Sequence, residues 1–135
     1  MNQLTLPATI DNIPTVVDFV NQQLELFDCP MNVQVKIELA VDEIFCNIAS
    51  YAYAPGTGDA TISVDLEENP RAVIITFIDR GIPYNPLEKD DPDVTLSAEE
   101  RGIGGLGIHL IRQIMDGINY EYIDGRNVLT LLKVI

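Results

Sequence analysis

Residues 60 to 79 read ATISVDLEE-NP-RAVIITFID. Both apolar runs are rich in Val, Ile and Thr, and the first alternates strictly, which is the composition and period of β-strands. Only Asn69-Pro70 separates them, so the spacing predicts a hairpin. The second run ends on an aspartate and continues as DRGIP (79–83). An aspartate at the end of an apolar strand either opens a turn or is aimed at a ligand.

The rest of the chain supplies what would cover such a sheet. QLTLPA (3–8) alternates and reads as a short edge strand ended by Pro7. Asp11 or Asn12 caps a helix with Pro14 in its first turn, running through TVVDFVNQQLELF to Cys29 and Pro30. Asn32 caps a longer helix, VQVKIELAVDEIFCNIASYAY, in which Ile37, Val41, Ile44, Ile48 and Tyr51 recur at helical spacing as the buried stripe. PGTGD (55–59) is a turn. Residues 84 to 101, YNPLEKDDPDVTLSAEER, form a long acidic loop, and a loop of that length is usually functional. GGLGIHLIRQIMD opens with glycines and continues as a helix. INYEYID and NVLTLLKVI form a closing hairpin that turns at Asp124-Gly125. Strands gathered beside helices predict an α+β two-layer sandwich, a mixed sheet with helices on one face. The 135 residues fit a single domain, 1–135.

Charge narrows the function. The chain carries 21 Asp+Glu against 8 Lys+Arg, a net −13. Nucleic acid and anionic membrane are therefore excluded as partners. An anionic ligand such as a nucleotide would need backbone N–H donors or a divalent cation. MNQLTLPATIDN lacks a basic, apolar leader pattern, so a cytoplasmic protein is expected. Cys29 and Cys46 have no metal-ligand spacing and read as reduced, buried thiols. His109 has no cysteine or histidine companion, which argues against zinc.

Three constellations meet the charge requirement. Glu43 and Asn47 stack one turn apart on the long helix, at the edge of its apolar stripe. The Asn47 amide oxygen suits Mg²⁺, and Glu43 can take a proton from a hydroxyl; both also fit a solvated helix flank, as Glu38 and Asp42 do. Gly102, Gly104, Gly105 and Gly107 in RGIGGLGIHL lead into a helix, where backbone N–H groups can approach phosphates. The pattern lacks the lysine of a P-loop and does not directly follow a strand as a Rossmann fingerprint does. The Asp79 carboxylate can accept from an exocyclic amine such as that of adenine, with Gly81 allowing close approach to a flat base.

In order, E-x-x-x-N on a helix, D-x-G-x-P after a strand and glycines at a helix start resemble the Bergerat-type ATP-binding fold. That superfamily (gyrase/histidine-kinase-like) includes DNA gyrase, heat-shock chaperone ATPases, histidine kinases and MutL-related repair ATPases. VDEIFCNIASYAY looks like its N box, DRGIP its first glycine box and GGLGI its second, and the resemblance spans roughly residues 35 to 135. Small size, VDEIFCNI, PYNP and GIHLIRQIMDGINYEY are most similar to the bacterial anti-sigma-factor serine/threonine kinases. The resemblance implies that Asn47 ligates Mg²⁺ and that Glu43 is the general base for an accepting serine. It implies that Asp79, Gly81 and Ile82 hold the adenine of ATP and that Gly104, Gly105, Leu106, Gly107 and Ile108 hold its phosphates. Residues 84 to 104 would form a lid, with Arg101 near a phosphate, while Thr130 is not equated with the family's last phosphate-contacting threonine. The implied partners are a STAS-type anti-sigma-factor antagonist, phosphorylated on Ser or Thr, and a sigma factor or similar regulator, with a homodimer expected by analogy. A nucleotide-dependent binding switch without kinase activity is the alternative.

Overall fold

A computed structural model describes residues 2–88 and 105–135. Five strands form one sheet in the order β1-β2-β3-β5-β4: β1 (Asn2–Pro7), β2 (Asp59–Glu67), β3 (Ala72–Asp79), β4 (Gly117–Ile123) and β5 (Arg126–Val134). Among the described residues three α-helices accompany them: α1 (Ile13–Leu26), α2 (Met31–Asn47) and α3 (Gly105–Ile114). This is the expected α+β architecture. Every strand pairing is antiparallel, however, where the sequence reading expects a mixed sheet. The reason is topological: β3 and β4 run the same way, but β5 inserts between them and pairs with both.

Strand alternation divides the sheet into two faces. Val73, Ile75 and Phe77 on β3, Ile62 and Val64 on β2, and Leu129 and Leu131 on β5 are buried. They join Val16, Val20 and Leu24 of α1, Ile37, Val41, Ile44 and Phe45 of α2, and Ile108 and Ile111 of α3 in one core. The opposite phase, including Ile74, Thr76, Ile78, Val128, Thr130 and Leu132, stays half-buried and outside that core. Asp79 holds the inward phase of β3, two residues beyond Phe77, and is 5% exposed. The alternation that makes the core thus carries a carboxylate under the helices.

Element ends differ from expectation for local reasons. α1 stops at Leu26 instead of Cys29, because Asp28 adopts a left-handed φ of 55° while the Cys29 N–H donates to Leu24 O. Asn12 stands at its N-cap, but its amide donates to Pro7 O and makes no cap bond. α2 begins at Met31 with Pro30 as N-cap, so Asn32 lies within the helix. The predicted stripe is buried at Ile37, Val41 and Ile44, but only half-buried at Ile48 and Tyr51. There the chain widens into a π-helical turn, Ile48–Ala52. Cys29 and Cys46 are free and half-buried instead of buried, and burial raises the pKa of the Cys29 thiol, with Arg71 opposing. The final turn has Asp124 at φ 55° and Gly125 at φ 74°, the geometry of a two-residue type I′ hairpin. Among the described residues no helix is long and apolar enough to cross a membrane.

Phe45 is fully buried where α2 meets the sheet. Phe45→Ala should lower unfolding free energy by roughly 3–5 kcal/mol, measured by urea denaturation.

Candidate functional site

The site is built where three ends converge: the π turn after α2, the end of β3, and the start of β5. Asp79 Oδ1 accepts from the Gly81 N–H at 2.9 Å and from Asn127 Nδ2 at 2.9 Å. Asn127, 6% exposed, lies opposite Asp79 in the β3–β5 register. Its Nδ2 also donates to Ile82 O at 2.8 Å. Its Oδ1 accepts from the Tyr84 N–H at 3.1 Å and from the Tyr120 hydroxyl. The Asn127 amide is therefore saturated, and it holds one oxygen of Asp79 while Oδ2 is left for another donor.

Gly81 is needed for a reason the sequence did not reveal. A Cβ there would collide with the Ala52 carbonyl, and the neighbouring Ile82 N–H donates to that same oxygen at 2.9 Å. The glycine box is thus clamped to the π turn of α2. Tyr53 adds a second tie: its hydroxyl donates to Asp59 O at 2.6 Å and accepts from the Arg80 N–H at 2.7 Å. Burial raises the Tyr53 pKa; the Arg80 amide bond opposes this and the Asp79 charge adds to it. The phenol therefore remains protonated as a donor.

Asn47 is also buried, at 5% exposure. Its Nδ2 has no hydrogen-bond partner among the described residues. Asn47, Asp79, Tyr84, Tyr120 and Asn127 line one cavity with Ile44, Ile48, Ala52, Phe77, Pro86 and Leu129. An orphaned buried N–H donor beside a half-satisfied buried carboxylate fits a polar ligand that offers both an acceptor and a donor. The cavity holds only about 30 Å³, one water's share and less than a purine. Tyr84 helps to close it, its N–H also 3.2 Å from the Tyr120 hydroxyl and its ring 5.7 Å from that of Tyr51.

Glu43 lies one turn up α2, half-buried, and lines a separate groove of about 290 Å³ with Gly107. A Cβ at Gly107 would strike the Glu43 carboxyl, so this glycine lets α3 pack directly on it. Gly105 starts α3, the Ile82 side chain is exposed, and Ile108 is buried in the core. Ile108 can meet a ligand only through its backbone. Leu106 is the second residue of α3. Gly102, Gly104 and Arg101, with most of the expected lid, fall outside the described residues. Thr130 pairs with Thr76 and Asn119 on the sheet face away from the helices, so it does not face this cavity. Asn127 and Tyr120 were missed by sequence reasoning. Their one signal was an asparagine inside a strand, a poor strand former that needs a reason to be there.

The chain is similar to proteins already known. The profile of the histidine kinase-like ATPase domain matches residues 6–133, and the chain belongs to that family. ATP binding is the property that family implies. The serine/threonine-protein kinase BtrW of Bordetella bronchiseptica (strain RB50) is 35% identical over 95 residues, 70% of this chain and 66% of that protein's length. The crystal structure of the SiaB–SiaC complex from Pseudomonas aeruginosa contains a chain of the same fold, with TM-score 0.57 and 17% identity. That likeness covers 98% of this chain and 89% of that one.

Asn127→Ala should cost about 1–3 kcal/mol in urea unfolding, because Asp79, Ile82 O and the Tyr84 N–H all lose a buried partner. An unchanged midpoint would remove Asn127 as the organiser of the site.

Proposed function

We propose that this chain is an ATP-dependent serine/threonine protein kinase of the anti-sigma regulatory kind. It would phosphorylate a Ser or Thr of a STAS-type antagonist and bind a sigma factor or a similar regulator. The observation that carries this reading is the shared cavity of the half-satisfied Asp79 and the unpaired Asn47 amide, one helical turn from Glu43. Its support from relatives is the kinase name of the Bordetella protein and the complex in which the Pseudomonas chain was solved.

On this reading Asp79 Oδ2 accepts from the adenine amine, while Asn127 keeps the carboxylate from rotating. The start of α3 at Gly105, with Leu106, Gly107 and Ile108 following, offers backbone N–H groups and its positive end to the phosphates. This answers the charge problem without lysines. Asn47 would hold Mg²⁺, which neutralises phosphate charge. The acceptor hydroxyl attacks the γ-phosphorus; its O–P bond forms as the bond to the β-phosphate bridging oxygen breaks. ADP leaves with that oxygen, and the hydroxyl proton passes to Glu43. Residues 1–135 act as one catalytic domain in the cytoplasm. The uncovered sheet face, with Ile74, Ile78, Val128 and Leu132, is where a homodimer contact fits.

Mg-ATP at a hundredfold excess over Kd should stabilise the fold by about 2.7 kcal/mol, read as a rise in Tm. No rise would leave only an acidic interaction domain. Asp79→Asn removes the Oδ2 acceptor yet keeps the planar shape of the carboxylate, and should weaken ATP binding roughly tenfold to a hundredfold by calorimetry. Glu43→Gln keeps the packing on Gly107. It should leave ATP affinity within about twofold while slowing labelled phosphate transfer to the STAS protein roughly 10²–10⁴-fold. Normal transfer by that variant would overturn the base assignment. Tight ATP binding with no transfer even by the wild type would leave the nucleotide-dependent binding switch.

A further inference from the structure

α2 is apolar on two sides. Its core stripe, Ile37, Val41 and Ile44, faces the sheet. Nearly opposite, Met31, Val35 and Leu39 recur at i, i+4 and i+8 and are 70%, 49% and 50% exposed. Successive members are only about 40° apart around the axis, so they form one continuous ridge. The solvent side of a helix is ordinarily polar, and contiguous exposed apolar surface marks an interaction site. The ridge runs into the groove between α2 and α3, which Leu39 lines together with Leu110, itself 42% exposed. Glu43 lines that same groove.

We propose that the Met31–Val35–Leu39 ridge and Leu110 dock the phosphate-accepting protein, delivering its hydroxyl along the groove to Glu43. The choice of the phosphate acceptor as occupant rests on the kinase reading; the docking surface itself stands on exposure and charge. Electrostatics select the occupant. Glu38 and Asp42 border the ridge and Glu43 ends it, while Lys36 is the one cation in α2. A second copy of this −13 chain would set the same carboxylates against each other. A partner with an apolar contact segment flanked by neutral or basic residues meets no such repulsion. Continuity with Glu43 makes the occupant the substrate, because anything seated there places its flanking residues at the base.

Val35→Ser/Leu39→Ser removes the ridge at two exposed positions and spares the core. Leu26→Ser, at an apolar residue 74% exposed on the end of α1, is the control. The full chain is titrated calorimetrically with the STAS-domain proteins of the same genome in Mg²⁺ and a non-hydrolysable ATP analogue, and transfer kinetics are measured in parallel. The double variant should bind the STAS protein roughly tenfold or more weakly. KM should rise by a like factor with kcat retained, the Mg-ATP rise in Tm should be unchanged, and Leu26→Ser should match wild type. Lost binding by the double variant when neither protein transfers phosphate upholds the docking surface and removes the kinase reading. Equal affinity of double variant and wild type overturns the proposal. So does failure of every STAS protein to bind wild type, or a wild-type dimer that the double variant turns into a monomer.

Discussion

One buried side chain organises this molecule's candidate site. Asn127 uses both amide protons and both lone pairs, and its partners lie on β3, on β4, within the glycine box at Ile82 and just after it at Tyr84. A buried amide with all its bonds made costs little and tolerates little movement. Through it, the Asp79 carboxylate can sit beneath the helices of a protein that already carries a net −13. Two fixed donors hold one oxygen, and the other oxygen remains to be used. The Ala52 carbonyl completes the frame by fastening the glycine box to the end of α2.

The same frame leaves two pockets apart in space. The cavity of Asp79 and Asn47 lies over the sheet, while the groove of Glu43 lies between α2 and α3. Four residues of α2 link them, about one helical turn. That separation suits a two-substrate reaction, in which a nucleotide enters from one side and a protein hydroxyl from the other. α2 is apolar on two faces: one holds the fold, and the other carries the exposed Met31, Val35 and Leu39 of the proposed docking ridge.

Much of the fold was legible in local pattern. The β2–β3 hairpin, the type I′ turn at Asp124-Gly125 and the buried stripe of α2 follow from period and turn chemistry. Those signals act over a few residues and survive any tertiary context. Antiparallel pairing throughout was not legible, because the insertion of β5 between β3 and β4 is a choice of neighbour that periodicity does not encode. The ends of α1 and α2 moved for similar reasons. The left-handed Asp28 and the cap at Pro30 were chosen by how the connection packs.

For the candidate site, the order of Glu43, Asn47, Asp79, Gly81 and Gly107 was visible in the chain, because each residue type is suited to a distinct chemistry. Sequence alone determined that an acidic chain carrying those residues on a helix, a strand end and a helix start could serve an anionic ligand only through backbone donors and a cation. Tertiary structure decided which atoms do what. Register placed Asn127 against Asp79 and turned Thr130 to the opposite face; packing between elements pressed Gly81 onto Ala52 and Gly107 onto Glu43. Those outcomes depend on contacts between residues far apart in the chain, and no local pattern contains the distance between them.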